Sequence, residues 1–322
     1  MKLLLISGDN HPHIIKDRHV KNIQAVDSSL EIVVFPQSQR EDIAKNILNS
    51  DIVAGWPADM SALKDIEHLE WIHSFSAGVD KVLTPEIVNS SVLVSNSAGI
   101  HATPIAEHII GCMLLFTRKF YRTFQSQQWK EWQRRTDLEE LRDKTVLIVG
   151  LGNIGKEAAR LAACFGAHVI AVDALQEEKP DFVEALYYVD ELSEILPRAD
   201  FVVVSAPHTK ETHHLFDLEK FQKMKSSAIL INISRGGLVN EKELIEALEK
   251  KIIAGAALDV TETEPLLKDS PLWEMENVII TPHHSGLSDK YMDRAIDRFC
   301  LNLQAFLKGE EIPNLIDKER GY

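Results

Sequence analysis

The feature that most restricts this chain is a short β-branched run, Thr145–Val149, that passes directly into Gly150-Leu151-Gly152-Asn153-Ile154-Gly155 and then into a helix-forming stretch over 156–165. Glycine-spaced turns are common, but one that leaves a strand and opens a helix reads as a cradle for dinucleotide phosphates. Gly150 permits the tight turn, Gly152 lets the backbone approach a pyrophosphate, and Gly155 lets the helix pack closely on the strand. Amides at the helix N-terminus lack intrahelical partners and face the phosphates. The next strand ends in Asp173, whose carboxylate can accept from adenosine ribose hydroxyls and repel the extra phosphate of NADP. Ala174 supplies no arginine, so NAD is favoured; Lys179 is close enough in sequence to keep NADP open.

A turn of this kind belongs to a parallel sheet, and short β-branched runs alternate with helical patterns from end to end. Strands are expected at 3–6, 31–35, 52–54, 71–74 and 92–95, and the pattern restarts at 145–149, 168–172, 201–205, 229–233, 255–258 and 278–280. The spacing predicts helices over 40–48, over an apolar stretch at 101–118, and over 289–308 with Ala295, Ile296, Phe299, Leu303 and Phe306 on one face. Two α/β domains are expected: a smaller one from 1–99 completed by 287–322, and a cofactor domain over 100–286.

With 322 residues, 45% of them hydrophobic, the chain can fill two cores. A formal net charge of −14 without a long basic block lacks the footprint for neutralising DNA or RNA phosphates, so no nucleic-acid partner is expected. Cys112, Cys164 and Cys300 are too few and too scattered for a disulfide framework, which fits a reducing cytoplasm. The apolar run at 3–6 is too short for a signal peptide. The run at 105–116 is too short for a bilayer span and contains Glu107 and His108, so no membrane association is expected.

Three segments carry candidate chemistry, each after a predicted buried strand: Asn232-Ile233-Ser234-Arg235-Gly236-Gly237, Leu258-Asp259 with Glu264-Pro265-Leu266, and Thr281-Pro282-His283-His284-Ser285-Gly286. Strand ends line the ligand crevice of open α/β sheets, so Arg235, Asp259, Glu264 and His283 can converge there. Arginine offers a planar, permanently charged fork for a carboxylate. Histidine titrates near neutral pH, and a neighbouring carboxylate favours its charged form, so Glu264 is expected to raise the proton affinity of His283.

With these motifs the chain resembles the D-isomer-specific 2-hydroxyacid dehydrogenases over nearly its whole length. First-domain segments of that family also appear, in Ser76-Ala77-Gly78-Val79-Asp80 and in Asn96-Ser97-Ala98-Gly99 followed by Ala106-Glu107-His108. The resemblance implies a Rossmann-type cofactor domain plus a smaller flavodoxin-like α/β substrate domain. It implies an NAD(P)-dependent enzyme reducing a small 2-keto acid to the D-2-hydroxy acid, with glyoxylate, hydroxypyruvate or pyruvate as substrate. The closing Asn314-Leu315-Ile316-Asp317 with Gly321-Tyr322 looks most like the glyoxylate/hydroxypyruvate reductases. By the same resemblance Arg235 grips the substrate, His283 is the acid/base and Glu264 orients it. The amides of Ala77 and Gly78 hold the substrate carboxylate, and Asp259 holds the nicotinamide carboxamide. Asn153, Ile154, Ala206, Pro207, His208, Ile233 and Ser234 touch the cofactor beside Gly150, Gly152, Gly155 and Asp173. His284 stands where the family often has an aliphatic residue, and His208, in Ala206-Pro207-His208-Thr209, is a second departure from its pattern.

A homodimer through the cofactor domains is implied as well, with the apolar helix after residue 100 as its surface. The chain ends soon after its last helix, which argues against the extra regulatory domain of many phosphoglycerate dehydrogenases. The alternative class is a dinucleotide-sensing scaffold of corepressor type, disfavoured by the intact Arg/Glu/His set. Most of the 13 histidines must be ordinary surface or core residues. On an extended chain His213-His214 and His283-His284 point apart, so no metal site is expected. Glu107 and His108 read as a buried, hydrogen-bonded pair at the domain junction, and Trp56 as packing.

Overall fold

The computed structural model describes residues 1–56, 68–79, 81–175 and 178–318. Asp80 of the Ser76–Asp80 motif and the Gly321-Tyr322 tail lie outside the described residues. Every ladder between its strands is parallel, which obliges the chain to cross over through helices and to bury both sheet faces. The chain divides into two units, Met1–His101 with Leu287–Tyr322, and Ala102–Gly286.

The first unit runs β1 (Lys2–Ser7), α1 (Asp17–Val26), β2 (Glu31–Pro36), α2 (Arg40–Ile47), β3 (Ile52–Gly55), β4 (Trp71–Ser74), α3 (Pro85–Val88) and β5 (Leu93–Asn96). The sheet order β2-β1-β3-β4-β5 is that of the flavodoxin-like fold. Alternation along β1 divides its side chains between two cores. Leu3 and Leu5 join Ile52, Trp71 and Phe299, whereas Leu4 and Ile6 join Val53, Ile72 and Val94.

The second unit begins with α4 (Ala102–Thr117) and α5 (Phe120–Gln128) and continues through β6 (Thr145–Val149), α6 (Asn153–Cys164), β7 (His168–Val172) and β8 (Ala185–Tyr187). It then runs α7 (Leu192–Ile195), β9 (Phe201–Val204), α8 (Leu218–Lys223), β10 (Ile229–Asn232), α9 (Glu241–Glu249), β11 (Gly255–Leu258) and β12 (Val278–Ile280). The order β12-β11-β10-β9-β6-β7-β8 reverses direction between β6 and β9, the switch point where Rossmann-type sheets hold dinucleotides. β8 was not expected from the sequence: it is an edge strand of only three residues, all half-buried, too short for an alternation to show. Leu147 and Val149 of β6 face one core, and Val146 and Ile148 the other, with the buried side of α4.

The last helix, α10 (Tyr291–Lys308), packs in the first unit through Ala295, Ile296, Phe299 and Leu303. Trp71 is stacked between Phe299 and Phe306, at ring distances of 5.3 and 5.1 Å. Beneath these rings the indole Nε1–H of Trp71 donates to Ser95 Oγ at 2.9 Å, and His73 meets Ser95 Oγ at 2.8 Å through Nδ1 and Ser97 Oγ at 3.1 Å through Nε2. A neutral imidazole satisfies this chain, with the Ser95 hydroxyl donating to Nδ1 and Nε2–H donating to Ser97. Burial, with a smaller repulsion from Arg298, pushes the His73 pKa down to about 3.

Below pH 6.5 the unfolded chain therefore takes up a proton that folded His73 refuses until about pH 3. Its contribution to stability is complete above pH 6.5 and declines as pH falls through that window, by up to about 1.4 kcal/mol per pH unit. Urea unfolding of wild type and His73→Gln between pH 7 and 4.5 checks this. The wild-type stability should fall more steeply with acidification, and parallel curves would refute the assignment.

Candidate functional site

The glycine turn sits at the carboxyl end of β6, in the reversal of strand order. Gly150 has φ +99°, and a Cβ there would come within 2.5 Å of the Ala206 amide nitrogen, so the residue must be glycine for the loops after β6 and β9 to meet. The meeting is closed by Ser205, whose hydroxyl donates to the Gly150 carbonyl at 2.7 Å. The Ala206 carbonyl in turn accepts from the Ser234 hydroxyl, which ties in the loop after β10. Gly155 is buried and must be glycine, because a Cβ there would overlap the Gly150 carbonyl oxygen and lie 3.0 Å from Ile148 Cγ2. Gly152 differs: it is exposed, it caps α6 without a side-chain hydrogen bond, and a Cβ there would meet no heavy atom within 4 Å. The first-turn amides, from exposed Asn153 and half-buried Ile154 onward, are thus left for an outside acceptor, which fits a pyrophosphate.

Asp173, after β7, accepts from the amide of Leu151 at 2.6 Å and from that of Leu175 at 2.8 Å. The carboxylate is thereby fixed beside the glycine turn, with lone pairs left for hydroxyl donors. Lys179 is turned away to the Val183 carbonyl, 2.7 Å from its Nζ.

Pro207 and His208 are exposed on the loop after β9, while Ile233 is buried at the end of β10. The His208 ring lies against Gly237, and its Nε2 is 3.1 Å from His213 Nδ1. The expectation that His213 and His214 point apart is corrected here. Their rings stack at 3.9 Å because His214 adopts φ +52°, which breaks the extended alternation, and His214 pairs with Glu262. Among the described residues, no three His, Cys, Asp or Glu side chains could jointly hold a metal.

Arg235, Glu264 and His283 lie on the loops that follow three adjacent strands, β10, β11 and β12. The first two loops are in direct contact: a Cβ on Gly236 would overlap the Thr261 carbonyl. Asn232, buried at the end of β10, shapes the arginine turn by accepting from the Ser234 amide at 3.2 Å and donating to the Arg235 carbonyl at 3.1 Å. The Arg235 guanidinium is exposed and donates to the Ser234 carbonyl at 2.8 Å. Glu264 accepts from the Thr261 amide at 3.3 Å through Oε1 and holds His283 Nδ1 at 2.7 Å through Oε2. That bond leaves Nε2 as the nitrogen His283 can offer a ligand.

His283 itself has φ +50°, a conformation that costs a non-glycine residue on the order of 1 kcal/mol. Asp259 holds it there. Its carbonyl accepts from the His283 amide at 2.8 Å, and its 3%-exposed carboxylate accepts from Thr281 Oγ1 at 2.6 Å and from the amides of His284 and Ser285, each at 3.1 Å. Burial would raise the Asp259 carboxyl, but the bonds from Ser285, Thr281 and His284 outweigh it and keep the carboxyl below its ordinary range. The sequence reading named Thr281, Ser285 and Asn232 only as parts of motifs and gave them no role; a strand-end Asx or hydroxyl residue next to a loop was the available signal. Glu107 and His108 do not form the expected buried pair. Glu107 is exposed because it lies on the outer face of α4, and half-buried His108 reaches Thr281 Oγ1 instead, at 3.3 Å.

In the first unit, Ala77 and Gly78 form a loop after β4. Ser76 donates to the Gly78 carbonyl at 2.6 Å and Asn96 to the Ala77 carbonyl at 2.6 Å. Half-buried Trp56 packs on His13 and Tyr291, at ring distances of 4.5 and 5.5 Å.

A reversed parallel sheet with an open phosphate turn, and a histidine–carboxylate pair on the loops after β11 and β12 of the same sheet, defines a dinucleotide-dependent oxidoreductase. Residues 110–285 match the family D-isomer specific 2-hydroxyacid dehydrogenase, NAD binding domain. A glyoxylate reductase of Thermofilum pendens is 33% identical over 288 residues, covering 87% of this chain and 85% of its own. Among solved structures, a D-isomer specific 2-hydroxyacid dehydrogenase family protein from Aeromonas salmonicida superposes with a TM-score of 0.87 at 31% identity, over 98% of this chain and 99% of that one. An NADPH-dependent glyoxylate/hydroxypyruvate reductase from Sinorhizobium meliloti, in complex with NADP and sulfate, gives 0.83 at 27% identity over all of both chains. The chain belongs to the D-isomer specific 2-hydroxyacid dehydrogenase family and is an NAD(P)-dependent enzyme.

The second and third glycines of the turn should respond differently to a methyl group. Gly155→Ala must separate α6 from β6 and should cost more than about 2 kcal/mol, as overpacking does, whereas Gly152→Ala should cost about 1 kcal/mol or less. Chemical denaturation of both variants distinguishes them, and equal losses would contradict the packing described.

Proposed function

We propose that this enzyme reduces a small 2-keto acid, glyoxylate, hydroxypyruvate or pyruvate, to the corresponding D-2-hydroxy acid. The observation that carries the proposal is the 2.7 Å contact between His283 Nδ1 and Glu264, next to the loop that bears Arg235. Arg235 grips the substrate carboxylate and C2 oxygen through its planar fork. His283 passes the Nε2 proton to that oxygen in reduction and recovers it in oxidation, while Glu264 keeps the ring oriented through Nδ1–H. The bound nicotinamide supplies the hydride to C2. The amides of Ala77 and Gly78 are proposed donors to the substrate carboxylate. Gly150, Gly152, Asn153, Ile154 and Gly155 hold the pyrophosphate, with Ala206, Pro207, His208, Ile233, Ser234 and Asp259 as further cofactor residues. The names of the Thermofilum and Sinorhizobium relatives support the substrate class.

NADH is the proposed coenzyme. The fixed carboxylate of Asp173 is poorly placed to receive a second negative group, and Lys179 is engaged elsewhere. NADPH remains the competing donor, since the Sinorhizobium neighbour holds NADP. We place the enzyme in the cytoplasm, in keeping with three unpaired cysteines. No helix among the described residues is long and apolar enough to cross a membrane.

Initial rates with NADH and NADPH against the three acids test the reading. Turnover with NADH should exceed that with NADPH, and His283→Ala should lose about 10²- to 10⁴-fold in kcat while NADH affinity persists. An unchanged rate would remove His283 as proton donor.

A homodimer is also proposed, but not through α4. Ile105, Ala106, Ile109, Ile110 and Met113 of that helix are already buried in the core against α6. What stays open is Phe120 and Phe124 on α5, with Trp129, 65% exposed, and Trp132, fully exposed. Four aromatic side chains carrying about 150–250 Å² each supply roughly half or more of the ~800 Å² per partner that a standard interface buries. Light scattering should give twice the chain mass for wild type and a monomer for Phe124→Glu/Trp132→Glu. A monomeric wild type at micromolar concentration would overturn the proposal.

A further inference from the structure

We propose that His108, on α4, is a positioning residue for the His283 turn and acts through the hydroxyl of Thr281. The inference rests on the reading of His283 as the acid/base. Thr281 has one hydroxyl hydrogen, and its Oγ1 lies 2.6 Å from a carboxylate oxygen of Asp259 that can only accept. That hydrogen is therefore committed to Asp259. His108 Nε2, 3.3 Å from the same Oγ1, faces an oxygen lone pair and must itself be the donor. The chain of donation runs one way, from the His108 Nε2–H to Thr281 and from Thr281 to Asp259.

The consequence follows from what Asp259 does next. The oxygen that takes the Thr281 hydrogen also accepts the amides of His284, at 3.1 Å, and Ser285, at 3.3 Å. The direction of the Thr281 hydroxyl thus sets where the carboxylate sits, and the carboxylate sets the backbone on the far side of His283. Threonine has two branches at Cβ, and its methyl could occupy the place of its hydroxyl. A donor on α4 selects the rotamer that points oxygen at both partners. His108 also meets the other flank of the catalytic residue, its ring standing edge-on to that of His284 at 6.0 Å. Thr281 and His284 bracket His283 in sequence, so one side chain on a packed helix contacts the turn on both sides.

Burial holds His108 below its ordinary range, with Asp259 opposing and His284 adding to that shift. A neutral ring with its hydrogen on Nε2 fits the donation just described. Glutamine carries an amide nitrogen at nearly the reach of Nε2, and leucine carries none, so the two substitutions separate donation from bulk.

The experiment compares His108→Leu, His108→Gln and Thr281→Val, alone and combined. His108→Leu should lower kcat about tenfold through misplacement of the acid/base, with the KM for NADH and the melting temperature close to wild type. His108→Gln should recover most of that rate. In the Thr281→Val background His108→Leu should cost nothing further, because the path is already cut. A wild-type rate in His108→Leu, a glutamine variant as slow as the leucine one, or additive losses with Thr281→Val would each overturn the proposal. If the wild type turns over no 2-keto acid, the functional reading fails on its own. Nitrogen NMR of ¹⁵N-histidine-labelled protein then decides the present inference. A His108 Nε2–H signal that is altered in Thr281→Val supports it, and hydrogen on Nδ1 overturns it.

Discussion

Parallel strands deliver all of their following loops to one edge, and the chemistry of the second unit depends on how closely those loops can approach one another. Four of them are brought into contact in two pairs, and the turn after β6 closes on its own helix, through the absence of a side chain. Gly150 admits the backbone at Ala206, Gly155 admits the Gly150 carbonyl, and Gly236 admits the Thr261 carbonyl. None of these glycines is present for flexibility. Each occupies a position where a Cβ and a neighbouring backbone atom would compete for the same space, and serine hydroxyls at 205 and 234 then lock the loops together. The side chains with chemistry to perform stand on a framework whose spacing is set by backbone contact.

Within that framework Asp259 performs two tasks from one residue. Its carbonyl accepts the His283 amide, and its buried carboxylate gathers Thr281, His284 and Ser285. A buried carboxylate without donors would be expensive, and it is the donors that make the burial affordable. The same donors belong to the turn that carries His283 in its left-handed conformation. Satisfying the charge and holding the strained residue are therefore a single event, and neither would persist without the other.

Much of the architecture was legible in the sequence because the signals are strong where both sheet faces are buried. β6, β7, β10 and β11 are runs of apolar residues bounded by turn formers, and the glycine turn named the strand that begins the second sheet. β8 was not legible, since a three-residue edge strand leaves no periodicity to read. Arg235, Glu264 and His283 could be nominated from their motifs. The hydrogen bonds that aim them could not, because Thr281 and His108 are 173 residues apart and nothing local in either segment refers to the other. The exposed aromatics at 120–132 were overlooked for a different reason. Apolar content drew attention to α4, and only the packing shows that α4 spends its apolar face inside its own core.

The orientation of His283 also limits which of its nitrogens can serve. Glu264 engages Nδ1, so a proton on that nitrogen is retained by the carboxylate and cannot be the one transferred. In the proposed reaction Nε2 carries the exchangeable proton, which with Nδ1–H also in place makes the donating ring an imidazolium. The reducing form of the site would therefore hold, in that reaction, one positive charge on His283 and one on Arg235, opposed by Glu264. On the proposed function, an anionic 2-keto acid entering that field would be attracted as a carboxylate and polarised at its carbonyl by the same two cations. Transfer of that proton in the proposed reaction would leave a neutral ring that still donates through Nδ1–H. On this proposal the Glu264 contact to Nδ1 would serve both halves of the cycle.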